Sequence, residues 1–173
     1  MVEPAPIETR RLVLRPLDMA DSGDVVRLAG EFAIADMTLR IPHPYTLDDA
    51  RAWLGGLPEA QRADTNVNMA ITLATTGELM GSVGLVIERK HARAEIGFWI
   101  GVPYWSKGYM TEAAAAMLVF GFERLDLARI SSYHFARNPA SGRVLQKIGM
   151  RHEGVLRQHM RKWDHFEDCV MYG

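Results

Sequence analysis

The chain has 173 residues, of which 48% are hydrophobic and 24% are charged, and this composition fits one globular domain with a full core. Its 20 Lys and Arg residues nearly balance its 21 Asp and Glu residues, so it lacks the basic surface that binding to a nucleic-acid backbone requires. Cys169 is the only cysteine, which excludes an internal disulfide and a multi-cysteine metal site and favours a reducing compartment such as the cytoplasm.

The first half of the chain begins with strand and helix signals. In residues 10–17, Leu12 and Leu14 alternate with Val13 and Arg15, and Pro16 closes the run, which is typical of a strand. Asp18 is expected to cap a helix that runs to about Gly30. Thr46 stands three residues before Asp49 in a capping-box arrangement, which predicts that a second helix begins there.

The rest of the chain is mostly β-rich, with two further helices. Predicted strands cover residues 66–74, 79–88, 92–102, 128–136, 151–160 and 163–172, and predicted helices cover residues 108–124 and 138–149. The order β, α, α, β, β, β, α, β, α, β, β indicates a mixed α/β sheet. In this sheet the helix from Gly108 is a crossover between two neighbouring strands.

The stretch WSKGYMTEA, residues 105–113, places Lys107 and Gly108 directly before an alanine-rich helix. Unpaired N–H groups at a helix N-terminus can bind phosphate, and both residues suit that task. The chain has neither GxxxxGK[ST] nor GxGxxG between a strand and a helix, which disfavours a mononucleotide kinase or a dinucleotide oxidoreductase. A simple structural role, with Ser106 as the N-cap of a core helix, explains the stretch equally well.

Three stretches in the expected order, EIGFWIG, PYWSKGYMTEA and NPASGRVLQKIGM, resemble the GNAT superfamily of acetyl-CoA-dependent N-acetyltransferases. RLVLRPL, IPHPYTLDDA and EDCVMY extend the resemblance from about Ile7 to Tyr172, and the branch that it resembles most contains the RimJ/RimL ribosomal-protein acetyltransferases. The resemblance implies one α/β (α+β) GNAT domain over residues 1–173. Its sheet would be mixed and mostly antiparallel, with about seven strands, a splayed central pair and about four flanking helices.

The resemblance also implies how the cofactor binds. Backbone N–H groups would hold the pyrophosphate of coenzyme A, and they fall on Lys107, Gly108, Tyr109, Met110 and Thr111. The chain departs from the usual family pattern at both ends of this loop, with Trp105 at the first place and Met110 at the last. On the preceding strand, backbone groups of Phe98, Trp99 and Ile100 would meet the pantetheine arm and the thioester carbonyl.

The NPAS stretch is a well-formed helix start, with Asn138 as N-cap, Pro139 at the first helical position and Ser141 at the third. Capping alone would account for these residues. The resemblance implies more, with Asn138 and Arg143 as cofactor contacts and Ser141 as the hydroxyl that hydrogen-bonds or protonates the departing thiolate.

Acetyl transfer to an amine also needs a base, because an alkyl amine is mostly protonated near neutral pH. Glu95 is the first candidate, because it lies on the strand beside the expected thioester; a salt-bridged or surface Glu95 is the alternative. Glu153 and His134 are the next candidates. The six His residues show no HxxxH pair, so we expect no metal, and we interpret the HFED run at residues 165–168 as a solvated hairpin.

We therefore expect an N-acetyltransferase that moves the acetyl group of acetyl-CoA directly to a primary amine in a ternary complex and releases coenzyme A. The acceptor would be a protein N-terminal amine or a small amine. The alternative is a non-catalytic acyl-CoA-binding module or sensor. A homodimer remains open, because Phe32, Trp53 and Trp163 could form an apolar surface. We expect no membrane partner, since the N-terminus lacks signal-peptide features and the apolar run at residues 113–122 is too short to span a bilayer.

Overall fold

The computed structural model describes residues 5–173, in which eight strands form one sheet and five α-helices pack around it. The strands are β1 (Ile7–Glu8), β2 (Leu12–Pro16), β3 (Asn66–Leu73), β4 (Leu79–Glu88), β5 (Arg93–Ile100), β6 (Arg129–Phe135), β7 (His152–Lys162) and β8 (His165–Tyr172). The helices are α1 (Ser22–Ala29), α2 (Phe32–Ala35), α3 (Leu47–Arg62), α4 (Tyr109–Glu123) and α5 (Pro139–Lys147). Within the described range, no helix has both the length and the apolar character needed to cross a bilayer.

The strands follow the order β1-β2-β3-β4-β5-β6-β8-β7, and every neighbouring pair is antiparallel except β5 and β6. Helix α4 connects that parallel pair, which confirms the predicted crossover. The expected mixed, mostly antiparallel sheet is confirmed. The strand beyond the expected seven is the two-residue β1, and the additional helix is the four-residue α2, which is too short to give a periodic signal in the sequence.

The predicted helix starts are confirmed by their caps. Asp18 and Asp21 form a reciprocal capping box at a short 3-10 turn that leads into α1. Thr46 and Asp49 form the same arrangement at the start of α3. These bonds satisfy N–H groups that a helix start would otherwise leave unpaired.

The sheet has a buried apolar cluster on each face. Helix α4 packs on one face and contributes Ala113, Ala114 and Met117 to the larger cluster. Helices α1 and α3 cover part of the other face through Val25, Leu28 and Ala50. The centre of the sheet is therefore enclosed from both sides, so a ligand can reach it only where neighbouring strands separate.

The central strands do separate. Pairing between β5 and β6 ends at Glu95 and Ser131, after which β6 pairs with β8 alone. Among the described residues, the next contact across the gap is a hydrogen bond of 2.8 Å that the Ser132 hydroxyl donates to the Ile96 carbonyl. The C-terminal half of β5 therefore has an edge without a partner strand, as the family resemblance implied.

Candidate active site

A cleft of about 580 Å³ lies at this separation of the strands. Its walls come from α2 and the residues after it, the end of β5, the loop before α4, and the first two turns of α5. Its lining includes Phe98, Trp99, Ile100, Gly108, Tyr109, Met110, Thr111, Asn138, Ser141 and Arg143. Of the residues proposed from the sequence, Lys107 and the three candidate bases Glu95, Glu153 and His134 do not line this cleft.

The loop before α4 presents unpaired backbone N–H groups. Gly108 is the N-cap, its φ angle is 76°, and it has no side chain with which to cap the helix. The first helical hydrogen bond runs from the Glu112 N–H to the Gly108 carbonyl, so the three preceding N–H groups, at residues 109–111, have no partner within the helix. The reading of Ser106 as the N-cap is wrong, because Ser106 precedes the cap with a φ of 60°. Together with the helix dipole, these N–H groups are suited to bind an anion.

Arg11 holds this loop in place. Its guanidinium donates to the Lys107 carbonyl at 3.0 Å and to the Glu112 carboxylate at 2.7 Å, and it lies 4.5 Å from the centroid of the Tyr109 ring. The Lys107 ammonium bonds to the Pro103 carbonyl at 2.9 Å. Lys107 therefore contributes its backbone to the loop, and its ammonium is directed to another part of the loop.

Helix α5 contributes basic side chains to the cleft, and the start of α4 contributes Met110. Lys147 lines the cleft one helical turn beyond Arg143, so two basic side chains lie on this face of α5. The sequence analysis missed Lys147, although its i, i+4 spacing from Arg143 was visible. Met110 is 6% exposed and belongs to the large core cluster, so most of its bulk is accommodated in the core.

Backbone alternation along β5 shows which groups face the gap. The Gly101 N–H bonds to the Met80 carbonyl of β4, so the backbone groups of Trp99, two residues earlier, also point to β4. The implied backbone contact from Trp99 is therefore not supported, although its side chain lines the cleft. Phe98 and Ile100 face the gap, but the Ile100 carbonyl accepts a hydrogen bond from the Trp105 indole at 2.7 Å. The groups left open are the N–H and C=O of Phe98 and the N–H of Ile100.

Ser141 and Asn138 form a bonded pair at the start of α5. The Asn138 side-chain carbonyl accepts from the Ser141 N–H at 3.3 Å, and its amide donates to the Ser141 hydroxyl oxygen at 3.0 Å. The predicted cap is confirmed. Because the Ser141 oxygen already accepts this bond, its own proton remains free to donate into the cleft.

Glu95 lies beyond the cleft, on the face of β5 opposite to Ile96, and it is half-buried. Among residues 5–173, its carboxylate has no hydrogen-bond or ion-pair partner. Burial raises its pKa above the ordinary value for Glu, while the positive charge of Arg40 acts in the opposite direction. Burial and the charge of Glu95 raise the pKa of the neighbouring Tyr133 hydroxyl to about 12. A carboxylate with a raised pKa and no partner is suited to accept a proton.

The two other candidate bases are placed less well. Glu153 forms an ion pair with Arg129, away from the cleft. His134 is buried, and one of its ring nitrogens lies 2.8 Å from the Phe135 carbonyl. Its other ring nitrogen packs so closely against Gly142 that a Cβ there would approach it to 2.5 Å. Neither residue is positioned to accept a proton from an amine in the cleft.

Arg137, which lines the cleft, is the centre of a network of charged side chains. Arg137 bonds to the Asp36 carboxylate at 2.6 Å and to the Glu167 carboxylate at 2.8 Å. The Trp163 indole donates to Asp36 at 3.1 Å, and His165 lies 2.8 Å from Glu167. Glu167 is only 5% exposed, so the interpretation of the HFED run as a solvated hairpin is wrong for this residue. The network fixes the segment after α2 against the β7–β8 hairpin.

Two remaining expectations concern metals and an apolar surface. No three His, Cys, Asp or Glu side chains come together as a metal-binding group in the part of the chain that the structure describes. Phe32 and Trp163 are exposed, with ring centroids 6.4 Å apart, whereas Trp53 packs partly against the α1–α3 cluster.

Comparison with known proteins agrees with this geometry. Residues 11–151 match the family model described as an acetyltransferase (GNAT) domain. The uncharacterized N-acetyltransferase YoaA of Bacillus subtilis (strain 168) is 31% identical over 157 residues, which cover 89% of this chain and 87% of that protein. The crystal structure of a GNAT-family acetyltransferase from Bacillus anthracis has a TM-score of 0.87 at 26% identity and covers 97% of this chain and 96% of its own. RimL, the ribosomal L7/L12 alpha-N-protein acetyltransferase solved with coenzyme A, has a TM-score of 0.89 at 19% identity with coverages of 97% and 96%.

Proposed function

The chain belongs to the GNAT family of acetyltransferases, and from that premise we propose that it transfers the acetyl group of acetyl-CoA directly to a primary amine in a ternary complex. The observation that carries the proposal is the gap between β5 and β6, which begins after the Glu95–Ser131 pair and lies at the cleft that the start of α4 also lines. An acyl donor and an amine can approach each other through such a gap. Membership of this family favours an enzyme over a non-catalytic acyl-CoA-binding module.

The residues of the cleft fit coenzyme A. Unpaired N–H groups at residues 109–111 suit a pyrophosphate, and Arg143 and Lys147 suit further phosphate charge. The open edge of β5 offers backbone hydrogen bonds to an extended, amide-containing arm, and Asn138 lies across the gap from it. When bound, acetyl-CoA supplies the activated acetyl group as a thioester.

Three groups of this chain carry the chemistry. Glu95 accepts the proton that the amine loses as its nitrogen bonds to the acetyl carbon, directly or through a water molecule. The open N–H groups of Phe98 and Ile100 donate to the acetyl oxygen, on which negative charge develops. Ser141 donates its free proton to the sulfur as the C–S bond breaks, so that coenzyme A leaves as a stabilised thiolate or a thiol.

The acceptor that we propose is a primary amine, either at a protein N-terminus or on a small molecule. RimL is named for action on the α-amine of ribosomal L7/L12, and at 19% identity this chain shares its fold. Met37 and Thr38, which follow α2, also line the cleft.

Initial-rate measurements of thiol release test the proposal. Acetyl-CoA and each amine of a panel of small amines and N-terminal peptides are varied together, and acetylated product is identified by mass spectrometry. We expect intersecting double-reciprocal lines, as direct transfer in a ternary complex requires. Parallel lines would indicate an acetylated enzyme intermediate, and thiol release without an acetylated amine would contradict the proposal.

A further inference from the structure

His134 of β6 has a buried ring nitrogen that no other group satisfies. The residue is 8% exposed, and its Nδ1 lies 2.8 Å from the Phe135 carbonyl. Because a carbonyl can only accept, Nδ1 carries the proton and Nε2 is left as a bare acceptor. Within residues 5–173, Nε2 is the only buried side-chain nitrogen or oxygen without a hydrogen-bond partner. Such an atom costs free energy, so stability alone does not account for a histidine here.

The His134 ring contacts α5 on both sides of Ser141. The Phe135 carbonyl that accepts from His134 also accepts from the Asn138 N–H at 2.7 Å, so the ring and the N-cap residue share one acceptor. The other edge of the ring lies against Gly142, where an added Cβ would be 2.5 Å from Nε2. Ser141, the proposed donor to the thiolate, therefore lies between two points of contact with this ring.

The His134 ring is itself held between α5 and β8. Tyr172 of β8 packs on it with ring centroids 5.8 Å apart, and the Tyr172 hydroxyl accepts from the Gln146 side chain of α5 at 2.9 Å. Strand β6 is joined to β5 where the gap begins, because the Ser132 hydroxyl donates to the Ile96 carbonyl. The separation of α5 from β6 therefore determines how far α5 stands from the open edge of β5.

Gly142 is the residue that permits this close contact. It is the buried fourth residue of α5, and its φ is not positive, so the backbone does not require glycine. Alanine is the better helix former at such a position. The three nearest atoms that a Cβ would meet all belong to the His134 ring, at 2.5, 3.1 and 3.2 Å. The ring, and not the helix, therefore requires glycine at this position.

We propose that His134 is a positioning residue for acetyl transfer, whose ring sets the separation of α5 from β6 and so places the Ser141 hydroxyl at the departing sulfur. This inference rests on the function proposed above. A shorter side chain would let α5 move toward β6, and a Cβ on Gly142 would push α5 away. Either displacement moves Ser141, and a misplacement of about 1 Å can lower a rate about a hundredfold.

The test removes the contact from each side in turn. Gly142→Ala adds the Cβ, whereas His134→Asn keeps an N–H near the place of Nδ1 but ends short of Nε2. Gly56→Ala is the matched control, because it is the same substitution inside α3 and its Cβ would meet no atom within 4 Å. The measured quantities are kcat and the acceptor KM at saturating acetyl-CoA, acetyl-CoA affinity by calorimetry, and the midpoint of urea unfolding.

In Gly142→Ala we expect kcat to fall about tenfold to a hundredfold with the acceptor KM within about threefold of wild type, because Ser141 acts on the leaving group. His134→Asn alone should lower kcat about threefold to tenfold. The double variant should return kcat to within about threefold of wild type, because the added Cβ then has room. Gly56→Ala should keep wild-type kcat. An unchanged kcat in either single variant at the contact would overturn the inference.

A second comparison shows whether His134 acts through Ser141 or only through stability. In a Ser141→Ala background, Gly142→Ala should change kcat by less than about twofold, because the group that it misplaces is absent. Its effect on the urea midpoint should be the same in both backgrounds. A full further loss of kcat in the Ser141→Ala background would contradict the positioning role.

Acetyl-CoA affinity separates this inference from the proposed function. Arg143 and Lys147 of α5 line the cleft, so a displaced α5 should weaken acetyl-CoA binding about fivefold in Gly142→Ala, and His134→Asn should restore it in the double variant. A wild-type protein that releases thiol with no amine of the panel would contradict the proposed function. The inference would then be judged by this affinity, and equal affinities in wild type and Gly142→Ala would overturn it.

Discussion

The two sides of the gap present different kinds of group, backbone on one side and side chains on the other. On the side that we propose for the cofactor, the groups offered are mainly backbone N–H groups at the start of α4 and along β5, which glycine conformation and strand separation leave unpaired. On the acceptor side, side chains from distant parts of the chain form the wall, as in the contacts of Arg137 with Asp36 and Glu167. A backbone site tolerates substitution, whereas a side-chain site changes with every substitution. We therefore expect substitutions to change acceptor use more than acetyl-CoA binding.

The largest expected effect comes from the acceptor side. In Glu95→Gln we expect kcat to fall about a hundredfold, because the amine loses its proton acceptor, while acetyl-CoA affinity stays unchanged. Burial raises the pKa of Glu95, and the base must be ionised, so wild-type kcat should fall with decreasing pH through a pKa above the ordinary value of about 4.3. The variant should lose this acidic limb. Stopped assays over a range of pH provide the measurement.

Glu153→Gln is the matched control, because Glu153 pairs with Arg129 away from the cleft, and it should retain wild-type kcat. Stability gives a second readout. A carboxyl whose pKa is raised by folding stabilises the protein below its unfolded pKa, and this contribution is lost as pH rises. Glu95→Gln should therefore have a Tm at least equal to that of wild type at neutral pH. An unchanged kcat in Glu95→Gln would remove this residue from the mechanism.

A substitution of Ser141 tests whether its hydroxyl donates to the departing sulfur. We expect Ser141→Ala to lower kcat about tenfold to a hundredfold, because the departing sulfur loses a hydrogen-bond donor. Acetyl-CoA affinity, measured by calorimetry, should change little, since Asn138 remains to cap α5. Turnover equal to that of wild type would show that Ser141 serves the helix start alone.

A substitution of Arg137 tests how much its ion pairs with Asp36 and Glu167 contribute to stability and to acceptor binding. Arg137→Met leaves the carboxylates of Asp36 and Glu167 without their shared guanidinium, so we expect a loss of about 2 kcal/mol in the free energy of unfolding and an acceptor KM about tenfold higher. Arg27→Met breaks an exposed pair with Asp24 and should cost less than about 0.5 kcal/mol. Urea unfolding compares the two variants, and equal losses would show that the network is no more than a surface ion pair.

The smallest effect is expected at the backbone of the cofactor loop. Gly108→Ala and Gly77→Ala both place a side chain at positive φ, 76° and 73°, so each should lose about 1 kcal/mol of stability. Neither added Cβ would meet an atom closer than 3.5 Å, which makes the two substitutions sterically comparable. Only Gly108→Ala should weaken acetyl-CoA binding, by about fivefold. Equal affinities in the two variants would separate the loop from the cofactor.

The division between backbone and side chains also explains what could be predicted from the sequence. The caps at Asp18, Thr46 and Asn138 depend on residues within three positions of each other, so they were predicted. The start of α4 near Gly108 was predicted for the same reason. The contact of Arg11 with Lys107 joins residues 96 positions apart, and no local pattern indicates it.

The strand β5 was predicted, but the sequence did not show which of its backbone groups bond to β4 and which face the gap. We call this alternation its hydrogen-bonding phase. That phase places the backbone groups of Phe98 and Ile100 toward the gap and those of Trp99 toward β4, and it depends on the register with β4. None of the long-range contacts of Arg137 and Lys162 was predicted. Asp36 and Arg137 meet across 101 positions, and Lys162 reaches Ile41 across 121. Only the tertiary fold creates such contacts.

We propose that a donor bound by backbone groups and an amine bound by side chains meet at the gap between β5 and β6. Calorimetric titration of the wild-type protein with acetyl-CoA, followed by thiol release from the same preparation on a panel of amines, tests it most directly. We expect stoichiometric binding and amine-dependent thiol release. Absence of acetyl-CoA binding would contradict it, because the loop at residues 105–111 would then be no more than the start of a helix.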